Sequence, residues 1–411
     1  MRTKSCVYGG PMFDGERLHD SGSVIFEDGC VVDVLQGDHH NGISDAWDVY
    51  GKLIAPGLID LHSDALEKCI EMRPGVQFDP QFALECLDRR LAGCGITTYC
   101  HAISFADDTF SIRSSENAER LVRLIKTFSF SGRALVRHMV HVRYEIGSLE
   151  AVARIEHLID KGLVDLVSIM DHTPGQGLFK TLQSCMAYKA GAFEITPEEA
   201  VIVAENKSPL KPDGLNILGR FAKKVKASAL PFLSHNDDSI EKIDFVRSLG
   251  VTGCEFPISM ETAGAAKGFG MRVFMGAPNL FRDRSSNGHL KASETIRKGL
   301  CDGLLSDYYP ECLLQMPFIA NKRYGLKIDE ILRLLTSNTG DFLACEHKPG
   351  RLAPGSGADV IVIDASAQWA SVSQTWVAGM PVLFQRQSGT NHGTVHAGKT
   401  GLKSVDSNRA A

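Results

Sequence analysis

The chain has 411 residues, 44% of them hydrophobic and 23% charged, which suits a folded protein with a large core and excludes a chain disordered throughout. Forty-four Lys plus Arg against 49 Asp plus Glu give a net charge of −5, a poor balance for a nucleic-acid binder. No apolar run reaches the roughly 20 residues of a membrane span, so a membrane role is not expected either.

The N-terminal MRTKSCVYGGPMFDG has no apolar leader, and the eleven cysteines are scattered, odd in number and without a Cys-x-x-Cys. Free thiols and a cytoplasmic setting are expected. Up to Lys52 the chain carries short β-prone pieces such as SVIFEDG and CVVDVLQG, broken by Gly and Asp turns. GRLAPGSGADVIVID and TWVAGMPVLF near the far end look alike, so 1–54 and 346–386 are read as one small β-domain, a sandwich assembled from both termini. Between them, 55–345 alternates eight β-type runs with amphipathic helical stretches: KLIAPGLIDLHSD, GITTYCHAIS, RALVRHMVHVRYEI, VDLVSIMDH, LPFLSHND, VTGCEFPIS, RVFMGAPN and DGLLSDYY. That pattern fits an α/β fold of the (β/α)8 TIM-barrel kind. An open doubly wound sheet is the weaker reading, because no Gly-x-Gly-x-x-Gly follows the first run. Residues 173–230 are too long for a plain crossover and are read as an insertion over the barrel mouth, with helices in PEEAVIVAEN and GLNILGRFAKKVKAS. Residues 387–411 are polar, Gly/Ser-rich and aperiodic, and are read as a disordered tail.

Polar residues gather where the runs end, which is where barrel enzymes place their sites. His62 and Asp64 in the first run share strand parity and can hold one divalent ion, although LHSD alone reads better as a polar strand end with a capping Asp. His141, Arg143 and Glu145 share parity in the third run; Glu145 is either a metal ligand or a salt-bridge partner of Arg143. Asp171 and His172 end the fourth run and point oppositely, so one can ligate while the other supports it. His235 ends the fifth run, followed by acids able to cap the next helix, and Asp307 ends the eighth. Imidazoles and carboxylates ending separate strands of one barrel are costly unless metal or pairing neutralises them. One or two divalent ions are expected, with zinc ahead of manganese, iron or nickel. A divalent ion brings the pKa of bound water down to about 7, so hydrolysis is the natural reaction, with Asp307 as the base. Lys68 and Arg73 after the first run, Arg143, and Asn279 with Arg282 in MGAPNLFR suit a small anionic, phosphorylated substrate. Arg284 and Lys291 read better as solvated surface charge.

With APGLIDLHSD, GITT, GRLAPGSGADVIVID and the strand-end His and Asp residues in place, the chain resembles the amidohydrolase superfamily. LHSDALEK, RPGV, MDHTPGQ, SHNDD, EFPIS, MGAPNLFR and LLSDYYP resemble more specifically a phosphonate-pathway family within it. That family hydrolyses α-D-ribose 1-methylphosphonate 5-triphosphate to the 5-phosphate and pyrophosphate and works alongside carbon–phosphorus lyase. The resemblance implies that His62, Asp64 and Asp307 bind a first metal and that Glu145, His172 and His235 form a second site. No His is available in the sixth run, where Glu255 is the reserve candidate. Two departures touch the substrate side: RDRSSNGHL is less Gly- and Ser-rich than the family loop, and Ala65 stands where the family has Asn. The implied activity is that of a phosphoanhydride diphosphatase. A deaminase or cyclic amidase acting on a C–N bond is the alternative, and a barrel without catalysis ranks last. A homo-oligomer is compatible with the sequence.

Overall fold

The computed structural model describes residues 4–73, 75–106, 114–149, 151–171, 212–285, 290–343 and 345–385. The chain opens with strands β1 (Ser5–Phe13), β2 (Leu18–Glu27), β3 (Cys30–Gln36), β4 (Asp45–Asp48) and β5 (Leu53–Pro56). It then enters β6 (Leu58–Ser63), a short hairpin of β7 (Glu71–Arg73) and β8 (Val76–Gln77), and β9 (Ile96–Phe105). Next come β10 (Arg137–Glu145), β11 (Leu166–Met170), β12 (Phe232–His235), β13 (Gly253–Glu255), β14 (Arg272–Gly276) and β15 (Gly303–Leu305). The series ends with β16 (Val360–Asp364), β17 (Ser371–Val377) and β18 (Met380–Phe384).

Two sheets carry the architecture. Strands β6 and β9 to β15 pair in parallel, in chain order, each falling on one of the eight apolar runs of the sequence, with β9 reaching one residue beyond its run. The two ends of this sheet meet: the Asp64 amide donates to the Asp307 carbonyl (2.7 Å) and the Asp307 amide to that of His62 (3.0 Å). That contact brings the barrel to near closure. The second sheet runs β18-β17-β16-β5-β1-β2-β3, with β4 branching from β1 in parallel. Its strands come from both ends of the chain and enclose their own core of Val7, Phe26, Ile54, Val362 and Trp376. The fold is a (β/α)8 barrel with a small β-sandwich domain built from both termini.

Strand alternation sorts the barrel side chains into two layers. Ile59, Leu61, Cys100, Leu166, Leu233, Phe274 and Leu305 fill the interior. Their neighbours Tyr99, Val140, Val142, Val167, Cys254 and Leu304 face the surrounding helices. The helix Pro212–Ala227 belongs to that outer layer: Leu218, Phe221 and Val225 are fully buried, and the Phe221 ring lies 5.0 Å from that of Tyr144. The rest of the expected insertion, and the tail, lie outside the described residues. Every cysteine described is a free thiol, and no helix among the described residues is long and apolar enough to cross a membrane.

The barrel base is pinned to the small domain by Arg137, which donates to both carboxylate oxygens of Asp359 and to Thr98 Oγ1. The Asp359 side chain is only 3% exposed. Removing one partner of such a pair strands a buried charge. Arg137→Ala is expected to lower stability by about 3 kcal/mol in urea unfolding; a loss below about 0.5 kcal/mol would show the contact to be superficial.

Candidate metal centre

The first site residue is aimed by an irregularity in β6. Asp60 pairs with Tyr99 and Ser63 with His101, so three steps along β6 match two along β9. Tyr99 and His101 both lie on the outward face of β9, which places Asp60 and Ser63 outward and turns Leu61 and His62 into the barrel together. An extra residue of this kind is a β-bulge, whose effect is to re-aim a side chain. Without it, His62 would follow Asp60 to the outer layer.

Inside the barrel, His62, His235 and Glu255 converge from β6, β12 and β13, offering ligand atoms within 4.8 Å of one another. Glu255 Oε2 lies 3.0 Å from His62 Nδ1 and 3.2 Å from His235 Nδ1. The two imidazoles stack with centroids 5.1 Å apart. Arg143 directs a guanidinium nitrogen at His235 Nε2 (3.4 Å), which makes Nε2 the acceptor and leaves Nδ1 to donate to Glu255. Burial above all, with Arg143 and His62 adding, pushes the His235 pKa well below its ordinary value. His141 forms the floor: Nδ1 donates to the Leu61 carbonyl (2.9 Å), Nε2 meets Ser168 Oγ (2.9 Å), and burial lowers its pKa to about 3. His235 and His141 are therefore held neutral, the state that metal ligation requires. Glu255 Oε1 is buried and has no hydrogen-bond partner among the described residues. Two imidazoles and a carboxylate with an unspent oxygen are a donor set that suits a divalent ion, to which His235 would turn a nitrogen by giving up its long contact with Arg143.

Asp307 stands at the seam where the barrel closes. It has φ +60°, a left-handed conformation that Asp tolerates better than most residues. Burial, then the charge of Asp64, raises its carboxyl pKa to about 7, while Arg143 and Lys68 pull the other way. Behind it, Asp60 accepts the Ser306 amide (3.1 Å) and the Ser306 hydroxyl, and its own pKa is raised to about 7 by burial. Asp60 thus fixes the residue from which Asp307 springs.

The other expected site residues take varied positions. Glu145 ends β10 and Asp64 follows β6 at the start of the next helix; both lie outside the tight trio, as does Asp307. Arg143 forms no ion pair with Glu145. His172 lies outside the described residues. Asp171 pairs with Lys242 (2.7 Å). Asp237 does not cap the helix after β12; Ser239 does, accepting the Lys242 amide, while Asp237 is buried and accepts from Ser234 and Cys254. Lys68 is exposed, with Nζ 6.0 Å from the Tyr308 ring centroid, and Arg282 is exposed, its charge acting on the Tyr308 hydroxyl. Arg73 is exposed on the β7–β8 hairpin. Asn279 binds the Leu290 carbonyl and the Ala292 amide (3.1 Å each), holding the loop after β14. Lys291 lies 3.7 Å from exposed Asp283, and Arg284 is exposed, as surface charges would be. Asp60 escaped the sequence reading because it sits within an apolar run, and its partner Ser306 is distant in sequence.

No family model matches the chain. A curated relative, the alpha-D-ribose 1-methylphosphonate 5-triphosphate diphosphatase of Escherichia coli (strain K12), is 30% identical over 350 residues, covering 83% of this chain and 91% of the relative. A crystal structure of a Xaa-Pro dipeptidase with bound methionine has a TM-score of 0.64 at 14% identity, over 92% of this chain and 99% of that one. A crystal structure of an amidohydrolase has a TM-score of 0.63 at 16% identity, over 94% of this chain and all of that one. At such low identity these two likenesses speak for the fold alone. The barrel, its small domain and the imidazole–carboxylate cluster inside it, together with the curated relative, define the class as a hydrolase. Within that class, the chain belongs to the alpha-D-ribose 1-methylphosphonate 5-triphosphate diphosphatase family.

Proposed function

We propose that the protein hydrolyses the 5-triphosphate of α-D-ribose 1-methylphosphonate 5-triphosphate, releasing pyrophosphate and leaving the 5-phosphate for a carbon–phosphorus lyase to cleave. The observation that carries this reading is Arg143. It is 6% exposed, has no carboxylate within ion-pairing distance among the described residues, and its Nε lacks a partner. A buried guanidinium without a counter-ion is costly unless an anion arrives to share it. Beside two imidazoles and a carboxylate, that anion is the phosphoryl group under attack. The similarity to the curated diphosphatase supports the same choice.

His62, His235 and Glu255 would hold the divalent ion, which supplies Lewis acidity toward the phosphoryl oxygen and the attacking water. Asp307, with its pKa raised to about 7, accepts the proton of that water as its oxygen attacks the α-phosphorus. The bond from the α-phosphorus to the bridging oxygen breaks, and pyrophosphate leaves. Arg143 faces charge on the α-phosphoryl oxygens, and the exposed Lys68 and Arg282, both acting on Tyr308, face the leaving pyrophosphate.

Phosphorus NMR of the purified protein with this triphosphate, run beside a panel of cyclic amides and N-acylated substrates, tests the reading. Pyrophosphate is the expected product; turnover of amides with none of the triphosphate would transfer the protein to C–N bond hydrolysis. Arg143→Met is expected to lower kcat/KM for the triphosphate about 100-fold, the worth of a charge-assisted contact of nearly 3 kcal/mol. Unchanged kcat/KM would remove Arg143 from the substrate.

A further inference from the structure

Three strands of the barrel end near the site in a left-handed residue: Asn236 after β12, Phe256 after β13 and Asp307 after β15, with φ of +58°, +54° and +60°. Asn and Asp adopt this conformation at little cost because their short polar side chains bond locally. Phe has no such compensation and gives up about 1–2 kcal/mol. Phe256 is also followed by Pro257, which favours extended backbone in the residue before it. A conformation so disfavoured persists only where its surroundings hold it, and such strain gathers at functional sites.

What the strain achieves is visible in the rings. The Phe256 centroid lies 5.2 Å from that of His62 at 75° and 5.3 Å from that of His235 at 90°. One benzene plate therefore stands nearly perpendicular to both imidazoles, while Glu255, the preceding residue, holds both Nδ1 atoms. Gly276 lies against the Phe256 ring, where a Cβ would make only an ordinary contact at 3.7 Å. The Phe256 amide donates to the Phe274 carbonyl (2.8 Å), fixing the turn. With an ordinary negative φ, the backbone would carry the ring away from both histidines.

We infer that Phe256 is a positioning residue: its left-handed backbone sets an aromatic wall that locks the planes of His62 and His235 for a divalent ion. The inference rests on the reading of His62, His235 and Glu255 as a metal centre. Partners that orient ligating imidazoles are worth about 10- to 100-fold in metal affinity.

The test measures Zn²⁺ affinity by competition with a chromophoric chelator, together with the melting temperature of the metal-free protein. Phe256→Leu keeps apolar bulk and loses the flat ring, Phe256→Gly removes both ring and strain, and Phe256→Tyr keeps the ring. The expected result is Zn²⁺ binding weakened about 10- to 100-fold in the Leu and Gly variants and wild-type binding in the Tyr variant, with Phe256→Leu melting within a few degrees of wild type. Should Phe256→Gly fail to fold, the Leu and Tyr pair decides alone. Wild-type affinity in Phe256→Leu overturns the inference, as does an affinity loss that merely tracks a collapse in its melting temperature. A wild-type protein that takes up no Zn²⁺, Mn²⁺ or Ni²⁺ would instead overturn the metal-centre reading, and this inference with it.

Discussion

Glu255→Gln is expected to strip the protein of its divalent ion and reduce turnover by about 1,000-fold, a larger loss than any other single carboxylate in the barrel would cause on metal content. Glu255 is fully buried and one of its oxygens receives both imidazoles of the trio. Gln is nearly isosteric, so packing is kept while two properties change. The negative charge that balances a divalent ion disappears. The amide also presents one oxygen and one NH₂ group, so a side chain that remains turned toward both Nδ1–H groups can satisfy them only through a single neutral oxygen. Affinity for the ion should fall by at least about 100-fold, read by metal analysis after dialysis and by calorimetric titration of metal-free protein. Glu145→Gln is the control, at the end of strand β10, two strands removed from β12 and three from β13. If Glu145→Gln loses the ion and Glu255→Gln retains it, the centre lies toward β10, and the trio is only a hydrogen-bonded cluster.

Much of this arrangement was legible in the sequence because barrel strands and their ends obey simple periodicities. The eight apolar runs are the eight barrel strands, and the terminal Gly- and Pro-punctuated pieces form the second sheet, since patterning fixes strand identity when each strand is buried on both faces. The direction of single side chains was less accessible. Parity within LHSD pairs His62 with Asp64, but it also pairs His62 with Asp60, and the bulge in β6 separates these last two. Such a bulge arises from pairing with β9 across the sheet and leaves no local signature in LIDLHSD. Glu255 ranked only as a reserve because a lone Glu in GCEFPIS reads equally well as a strand-end charge; only convergence with β6 and β12 singles it out. The substrate cations divide for a similar reason. Arg143 is fixed by strand alternation, whereas Lys68, Arg73 and Arg282 sit on exposed helix or hairpin positions where spacing does not determine direction. Phe256 lay beyond sequence reasoning, because a left-handed Phe before Pro runs against both residues' local preferences.

Asp307→Asn separates catalysis from metal binding. The backbone at this position is held by the mutual amide–carbonyl bonds with His62 and Asp64, and by Asp60 through Ser306; none of these uses the Asp307 side chain. Asn accepts the left-handed conformation as readily as Asp, so the seam of the barrel should stay closed. Turnover is expected to fall about 1,000-fold, the usual range for loss of a general base, while metal content stays within twofold of wild type. The substitution should also alter stability with a definite sign. In the metal-free protein the Asp307 pKa is raised from 3.8 to about 7, so between these values the folded chain keeps a proton that the unfolded chain has released. This group's contribution to stability therefore declines as pH rises from about 4 to about 7, and above that the fold carries a carboxylate it disfavours. Asn carries no such charge. Metal-free Asp307→Asn should melt above metal-free wild type at pH 8, and the gap should close as the pH approaches 4. Near-wild-type turnover would exclude Asp307 as the base, and loss of the ion would make it a ligand; a variant less stable than wild type at pH 8 would mean that its carboxylate supports the metal-free fold.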